Sequence, residues 1–383
     1  MKLNPFQHAF SKEDHLKYGF THQFLREAPN SIFCIGLGHM DSVVNDFFNE
    51  CKLSALDIFN RSENKKLFVC LSGGVDSECV ARSFVGAKVP IEAVILKFNA
   101  NLNWHDVDPA VQLCEQIGLK YTLVELDIFD FLESRKYQNY CLSYGLSSPM
   151  IASHVWLAEQ VISKMNGVPI FSGDFARIRR PSNYLIRQLS DTCEIVGDFC
   201  ALPSEWTFAS LANQDHFAID RLFAKLGCPG VANFFLYSAE QIASSIALGF
   251  SHDFIRFEQT LVSSLTSALP RSAVDFYEGQ KGLNKIKEQF FRFAGFTVNS
   301  RASKWTGFEL VHDLLGTDQR LDGRQLSPLN NSEEKIIGMT LFNEKYRRPM
   351  EQAIQQIHLK EILLKPSLYQ FIKNTLFQSL QGP

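Results

Sequence analysis

The sequence predicts an α/β fold: a doubly wound parallel sheet followed by a mainly helical C-terminal part. Three observations carry this expectation. Leu67–Leu71 (LFVCL) is an apolar run without alternation, as expected of a strand covered on both faces. Strand-like runs then alternate with helical patterns up to about residue 171. Beyond about residue 190 the strand signals fade, and helical spacing is interrupted at Pro203, Pro229, Pro270 and near Gly323–Pro328.

In chain order, the first 60 residues hold a polar start, the apolar run SIFCIGLGHMDS and a stretch with helical spacing at Val44, Phe47, Phe48, Cys51 and Ala55. Gly36-Leu37-Gly38 imitates part of a dinucleotide fingerprint. Asp41 stands where the third glycine belongs, so a packing turn is the default reading. Polar Arg61–Lys66 reads as a linker or loop. Leu67–Leu71 then leads through a turn into a helix over about Ser77–Val85. Ala93–Phe98 is the second strand, followed by a polar loop and a helix over about Pro109–Ile117. Tyr121–Leu126 is the third strand. Ile151, Val155, Ala158 and Ile162 share one face of a helix over about Pro149–Met165, and Pro169–Phe171 makes a short fourth strand. The expected division is an N-terminal extension over 1–60, a sheet domain over 61–190 and a helical domain over 191–383.

Composition narrows the function classes. A hydrophobic share of 45% and a charged share of 21% describe a globular protein and exclude disorder or coiled coil as the main architecture. A formal net charge of -3 argues against a general nucleic-acid coat protein, although a local basic groove stays open. Nine cysteines are spread singly, without CxxC or zinc spacing, which reads as reduced thiols in a cytoplasmic protein. The start MKLNPFQHAFSKEDH has no apolar h-region, and no run reaches the ~18 apolar residues of a membrane helix. Neither a secretory signal nor a membrane partner is expected.

The strongest signal is Ser72-Gly73-Gly74-Val75-Asp76-Ser77, directly after the first buried strand. Two glycines allow a tight turn and close approach of backbone to a ligand. The residues that follow open a helix whose first amides lack intrahelical acceptors, and the helix dipole makes that end an anion site. Ser72 and Ser77 add hydroxyls. Asp76 would repel a bare phosphate, so its presence points to a bridging cation, most naturally Mg²⁺. The competing reading is an ordinary glycine-rich βα turn. No GxxxxGK[ST] occurs, so a Walker-type nucleotide site is not supported.

SGGVDS in this context resembles the PP-loop of the N-type ATP pyrophosphatases, with their adenine nucleotide α-hydrolase-like fold. That superfamily includes asparagine synthetase, GMP synthetase, NAD synthetase, argininosuccinate synthetase and tRNA 2-thiouridylase. The resemblance covers about residues 65–180. It implies ATP and Mg²⁺ as cofactors and cleavage between the α and β phosphates, with an adenylated intermediate captured by a nitrogen or sulfur nucleophile. It implies further that Ser72, Gly73, Gly74, Val75 and Ser77 bind pyrophosphate and that Asp76 binds Mg²⁺.

Phe171-Ser172-Gly173-Asp174 is similar to the Ser-Gly-acid strand end of asparagine-synthetase-like enzymes. That likeness implies nucleotide contacts by Ser172 and Gly173, and substrate orientation or metal binding by Asp174. Asp174 also reads as a helix N-cap. Asparagine synthetase continues with an Asp-Glu pair, where this chain has Arg177-Ile178. The superfamily reads adenine with backbone at the end of the second strand, here Leu96-Lys97-Phe98. The Phe98 ring would stack on the base or fill the core. Arg177, Arg179 and Arg180 are cations suited to a leaving pyrophosphate, or else a solvated loop. Lys304 is the candidate for the C-terminal-domain lysine that such enzymes place on pyrophosphate; the alternative is a capped turn.

Three functions follow as expectations. The first is an ATP-dependent ligase that adenylates a small-molecule carboxylate or carbonyl for capture by an amine. With Lys2 in place of Cys, and 60 residues too few for a glutaminase domain, ammonia would come free or from a separate donor. The second is RNA-base thiolation, for which Cys141 and Cys193 are the thiols to test. The third is a non-catalytic nucleotide-binding module.

Overall fold

The computed structural model describes residues 44–134, 136–144, 149–176, 214–264 and 285–299, together with strands at 16–20, 32–37, 178–179, 194–196, 199–201, 207–208 and 358–364. Two strands, β1 (Leu16–Phe20) and β2 (Ile32–Leu37), precede helix α1 (Phe47–Arg61). The α/β alternation follows: β3 (Lys66–Cys70), α2 (Val75–Gly86), β4 (Glu92–Phe98), α3 (Trp104–Ile117) and β5 (Tyr121–Leu126). After α4 (Ile128–Glu133), α5 (Lys136–Tyr144) and α6 (Pro149–Met165) comes β6 (Gly167–Ile170). Short strands β7 (Ile178–Arg179), β8 (Glu194–Val196), β9 (Phe199–Ala201) and β10 (Thr207–Phe208) lead to α7 (Gln214–Leu226), α8 (Ala239–Gly249), α9 (His252–Ser264) and, much later, β11 (His358–Leu364). A further helical run covers residues 285–293.

The central sheet has the order β5-β4-β3-β6, and all of its pairings are parallel. Successive residues of β3 feed opposite faces. Leu67 and Val69 join the core beneath α1 and α2, whereas Phe68 and Cys70 join the core beneath α6 and α7. A strand covered on both sides cannot alternate apolar with polar, which is why LFVCL reads as one apolar block.

The order of these strands also fixes where a ligand fits. From β3 the chain moves outward through β4 to β5, then crosses back to place β6 on the other side of β3. The loops leaving β3 and β6 therefore diverge and open a crevice at the carboxyl ends of the two strands, a topological switch point. Segment 231–235 continues the sheet beyond β6. Phe171 N–H donates to Val231 O at 2.8 Å, and Phe235 N–H donates to Ser172 O at 3.3 Å.

Several elements depart from the sequence expectations. Helix α3 starts at Trp104 rather than near Pro109, because Asn103 caps it and the amides of Asp106 and Val107 donate to Asn103 O. Gly36 and Leu37 lie inside β2 and not in a turn. Strands also persist beyond residue 190. β1, β2, β11, β9 and β8 form one mixed sheet, in which β11 runs parallel to β2 and antiparallel to β9. Pairing between strands so distant in sequence leaves no local signal. Among the described residues no helix is long and apolar enough to cross a membrane.

Candidate active site

The turn between β3 and α2 is closed by its own side chains. Ser77 Oγ donates to Gly74 O at 3.0 Å and accepts from Ser72 N–H at 3.2 Å, with Ser72 Oγ also 3.2 Å away. Gly74 N–H reaches Ser72 Oγ at 3.3 Å. The two hydroxyls thus shape the loop, a role that the resemblance did not assign to them. Gly73 sits at φ +68°, and a Cβ there would lie 2.2 Å from the carbonyl oxygen of Asp106 on α3. Only glycine satisfies both the backbone angle and the close approach. Gly74 caps α2 through its backbone, so the first-turn amides of Val75, Asp76 and Ser77 have no intrahelical acceptor and open towards the crevice end of the sheet.

Across the crevice, β6 is followed by Ser172, Gly173 and Asp174. Gly173 is again left-handed, at φ +60°, and a Cβ on it would lie 2.1 Å from the side-chain amide carbon of Asn233. Asn233 is buried, and neither of its amide atoms has a hydrogen-bond partner. An orphaned buried amide is unfavourable by about 1–3 kcal/mol, so this one marks a place where folding alone has not satisfied the chain.

The two acidic residues singled out from the sequence meet here through a third residue. Lys287, on the helical run 285–293, donates from Nζ to Asp76 Oδ2 at 3.0 Å and to Asp174 Oδ1 at 2.5 Å. Burial by itself would depress this ammonium. The Asp76 and Asp174 carboxylates outweigh that and hold it above the ordinary lysine value, so it is charged at neutral pH. Its backbone is fixed by packing: Phe290 stacks on Phe175, next to Asp174, at 3.8 Å and 5°. Asn299 N–H donates to Glu78 Oε1 of α2 at 3.1 Å, which ties the far end of the same segment to the helix that carries Asp76.

The convergence of two carboxylate oxygens on one cation tests the fit of Mg²⁺. That ion is commonly held by one or two carboxylates plus substrate phosphates. The donor set fits, with Asp76 and Asp174 as the residues that would hold it. Among the described residues no group of three or more His, Cys, Asp or Glu side chains could hold a metal, so the remaining ligands would come from substrate and water.

The sequence points to Lys304 as the C-terminal cation, whereas the structure brings Lys287 to the two carboxylates. Lys304 and Arg177 both lie outside the described residues, as does Arg180, and Arg179 lies in β7. A signal did exist: KIKEQFF places Lys287 one turn before Phe290 and Phe291, on the side of the helix that carries those two rings. Of the two readings of the Phe98 ring, the core one fits the structure. That side chain is 3% exposed and belongs to the core beside Phe68 and Val94. The backbone at this strand end is engaged by the Asn103 carboxamide, which accepts from Phe98 N–H at 2.7 Å and donates to Leu96 O at 2.8 Å. Burial raises the thiols of Cys51, Cys70 and Cys79, and pushes Cys114 up to about 11. These four thiols are poor nucleophiles. The side chains of Cys141 and Cys193 lie outside the described residues.

No family model and no curated protein sequence matches the chain. Similar solved structures include NMN synthetase from Francisella tularensis, at 19% identity over 32% of this chain and 52% of that one, with a TM-score of 0.26. The NH3-dependent NAD synthetase from Campylobacter jejuni subsp. jejuni NCTC 11168, in complex with the nitrate ion, is 16% identical over 67% of this chain and 97% of that one, with a TM-score of 0.27. The glutamine-dependent NAD+ synthetase from Acinetobacter baumannii, in complex with adenosine diphosphate, is 12% identical over 71% of this chain and 50% of that one, with a TM-score of 0.28. The chain therefore spans about half the length of the first of these. Likenesses this faint decide neither substrate nor chemistry, and the site stands on its own geometry.

Proposed function

We propose that the chain is an ATP-dependent synthetase of the PP-loop kind, which adenylates a small-molecule carboxylate or carbonyl and releases pyrophosphate. One observation carries this reading. At the switch point of a parallel sheet, a helix N-terminus behind two glycines lies beside two carboxylates that converge on one cation.

In this reading the first-turn amides of α2 bind the β and γ phosphates. Asp76 and Asp174 would hold Mg²⁺, which when bound would supply charge neutralisation on the phosphate oxygens. A substrate oxygen attacks the α-phosphorus, and the bond from that phosphorus to the bridging oxygen breaks. Lys287 meets the charge that develops on the departing pyrophosphate, the role that the sequence reading gave to Lys304. An amine or ammonia then attacks the activated carbon, loses a proton and expels AMP. Residues 191–383 would shape the acceptor pocket, and a separate protein would supply ammonia if free ammonium is too dilute.

The test is pyrophosphate release from ATP and Mg²⁺ with a panel of carboxylic acids, with and without ammonium. Ammonium-dependent release with at least one acid is expected, and Asp76→Ala should abolish it. Undiminished release in that variant would contradict the assignment.

A further inference from the structure

We infer that Lys287 is a tethered cation that holds the divalent-metal position between Asp76 and Asp174 until phosphate draws it away, so that metal enters only together with nucleotide. The inference rests on the function proposed above and adds an order of binding to it.

The geometry supplies the exclusion. Lys287 Nζ lies 3.0 Å from Asp76 Oδ2 and 2.5 Å from Asp174 Oδ1, where a cation shared by the two carboxylates would sit. A metal ion entering alone would have to expel the ammonium. It would leave that charge beside a dication and without its carboxylate acceptors in a partly buried crevice.

The tether makes this competition unequal. Ile286 and Phe291 are buried, and Phe290 is stacked on Phe175. The helix cannot withdraw, so only the lysine side chain can swing. An ammonium attached this way acts at a high effective concentration, against which free metal must compete.

Phosphate changes the balance. Oxygens bound at the N-terminus of α2, the helix that carries Asp76, offer the ammonium new charge-assisted acceptors within reach of its stem. The carboxylates are then released to the metal that the nucleotide brings. Lys287 acts here as a positioning residue for the metal, separately from its contact with the leaving group.

The test uses the nucleotide-free full chain and Mn²⁺ alone, with free ion followed by electron paramagnetic resonance. The wild-type protein should bind Mn²⁺ weakly, and Lys287→Met should bind it at least about tenfold tighter, because the intramolecular competitor is gone. Adding Asp76→Asn to Lys287→Met should remove the gain, and Lys287→Arg, which keeps a cation, should stay near wild type. Binding by the wild type as tight as by Lys287→Met would overturn the inference.

If Lys287→Met does not fold, the wild type alone decides. Mn²⁺ uptake should require added pyrophosphate, and equal uptake without it sinks the idea. The result is separable from the function reading. A gain of Mn²⁺ binding without pyrophosphate release from any acid would leave the placeholder standing and remove the synthetase. Pyrophosphate release with no gain would do the reverse.

Discussion

The Ser72–Ser77 turn closes on itself. The hydrogen bonds that shape its loop join residues two to five positions apart, and Gly73 is seated against Asp106 O. The opposite wall of the crevice is assembled from far apart. Lys287 is 211 positions from Asp76 and 113 from Asp174, and it is held there by the Phe175–Phe290 stack. The difference teaches that the glycine-turn half of the crevice is a property of local backbone geometry, whereas the half that joins Lys287 to two carboxylates is a property of tertiary packing. Changes to the first should act through the backbone, and changes to the second through charge.

The largest expected effect is Gly73→Ala. Its Cβ would meet backbone, which cannot swing aside, at a left-handed φ. A loss of about 3 kcal/mol in stability is expected by urea denaturation, together with loss of pyrophosphate binding by calorimetry. A normal variant would show that the turn is not locally determined.

Next is Lys287→Met. Pyrophosphate release should fall by about 10²-fold while the melting temperature drops only modestly, because the ion pairs are partly solvated. Equal losses in both would make Lys287 structural.

Gly173→Ala should cost less than Gly73→Ala, about 1–2 kcal/mol, because the obstacle is the Asn233 side chain and not backbone. Urea midpoints of the two variants compare them directly, and a reversed order would break the contrast.

The smallest effect concerns pH. The folded pKa of Lys287 is raised above the unfolded lysine value of 10.5. Its contribution is therefore fully present below 10.5 and is lost as pH rises through the higher folded value. Urea denaturation should show wild type losing more stability than Lys287→Met on the alkaline side.

The same contrast explains what the sequence discloses. β3, the glycine turn and α2 are contiguous, and each obeys a local rule: a doubly buried strand, a left-handed glycine, a helix start. The fold class and the Ser72–Ser77 segment were therefore readable. Lys287 sits on a helix like many others, and nothing near it in sequence announces two carboxylates. Phe98 stayed ambiguous because residue type names possible partners, while its place on the inner face of β4 decides the actual one. The pairing of β2 with β11 was likewise hidden, since the two runs lie more than three hundred residues apart and neither announces its partner.

The central claim is that this crevice cleaves ATP between the α and β phosphorus atoms. The most direct measurement is phosphorus NMR of a reaction run to completion with ATP, Mg²⁺, ammonium and the responding acid. The account predicts resonances of AMP and pyrophosphate in equal amounts; ADP with orthophosphate would contradict it.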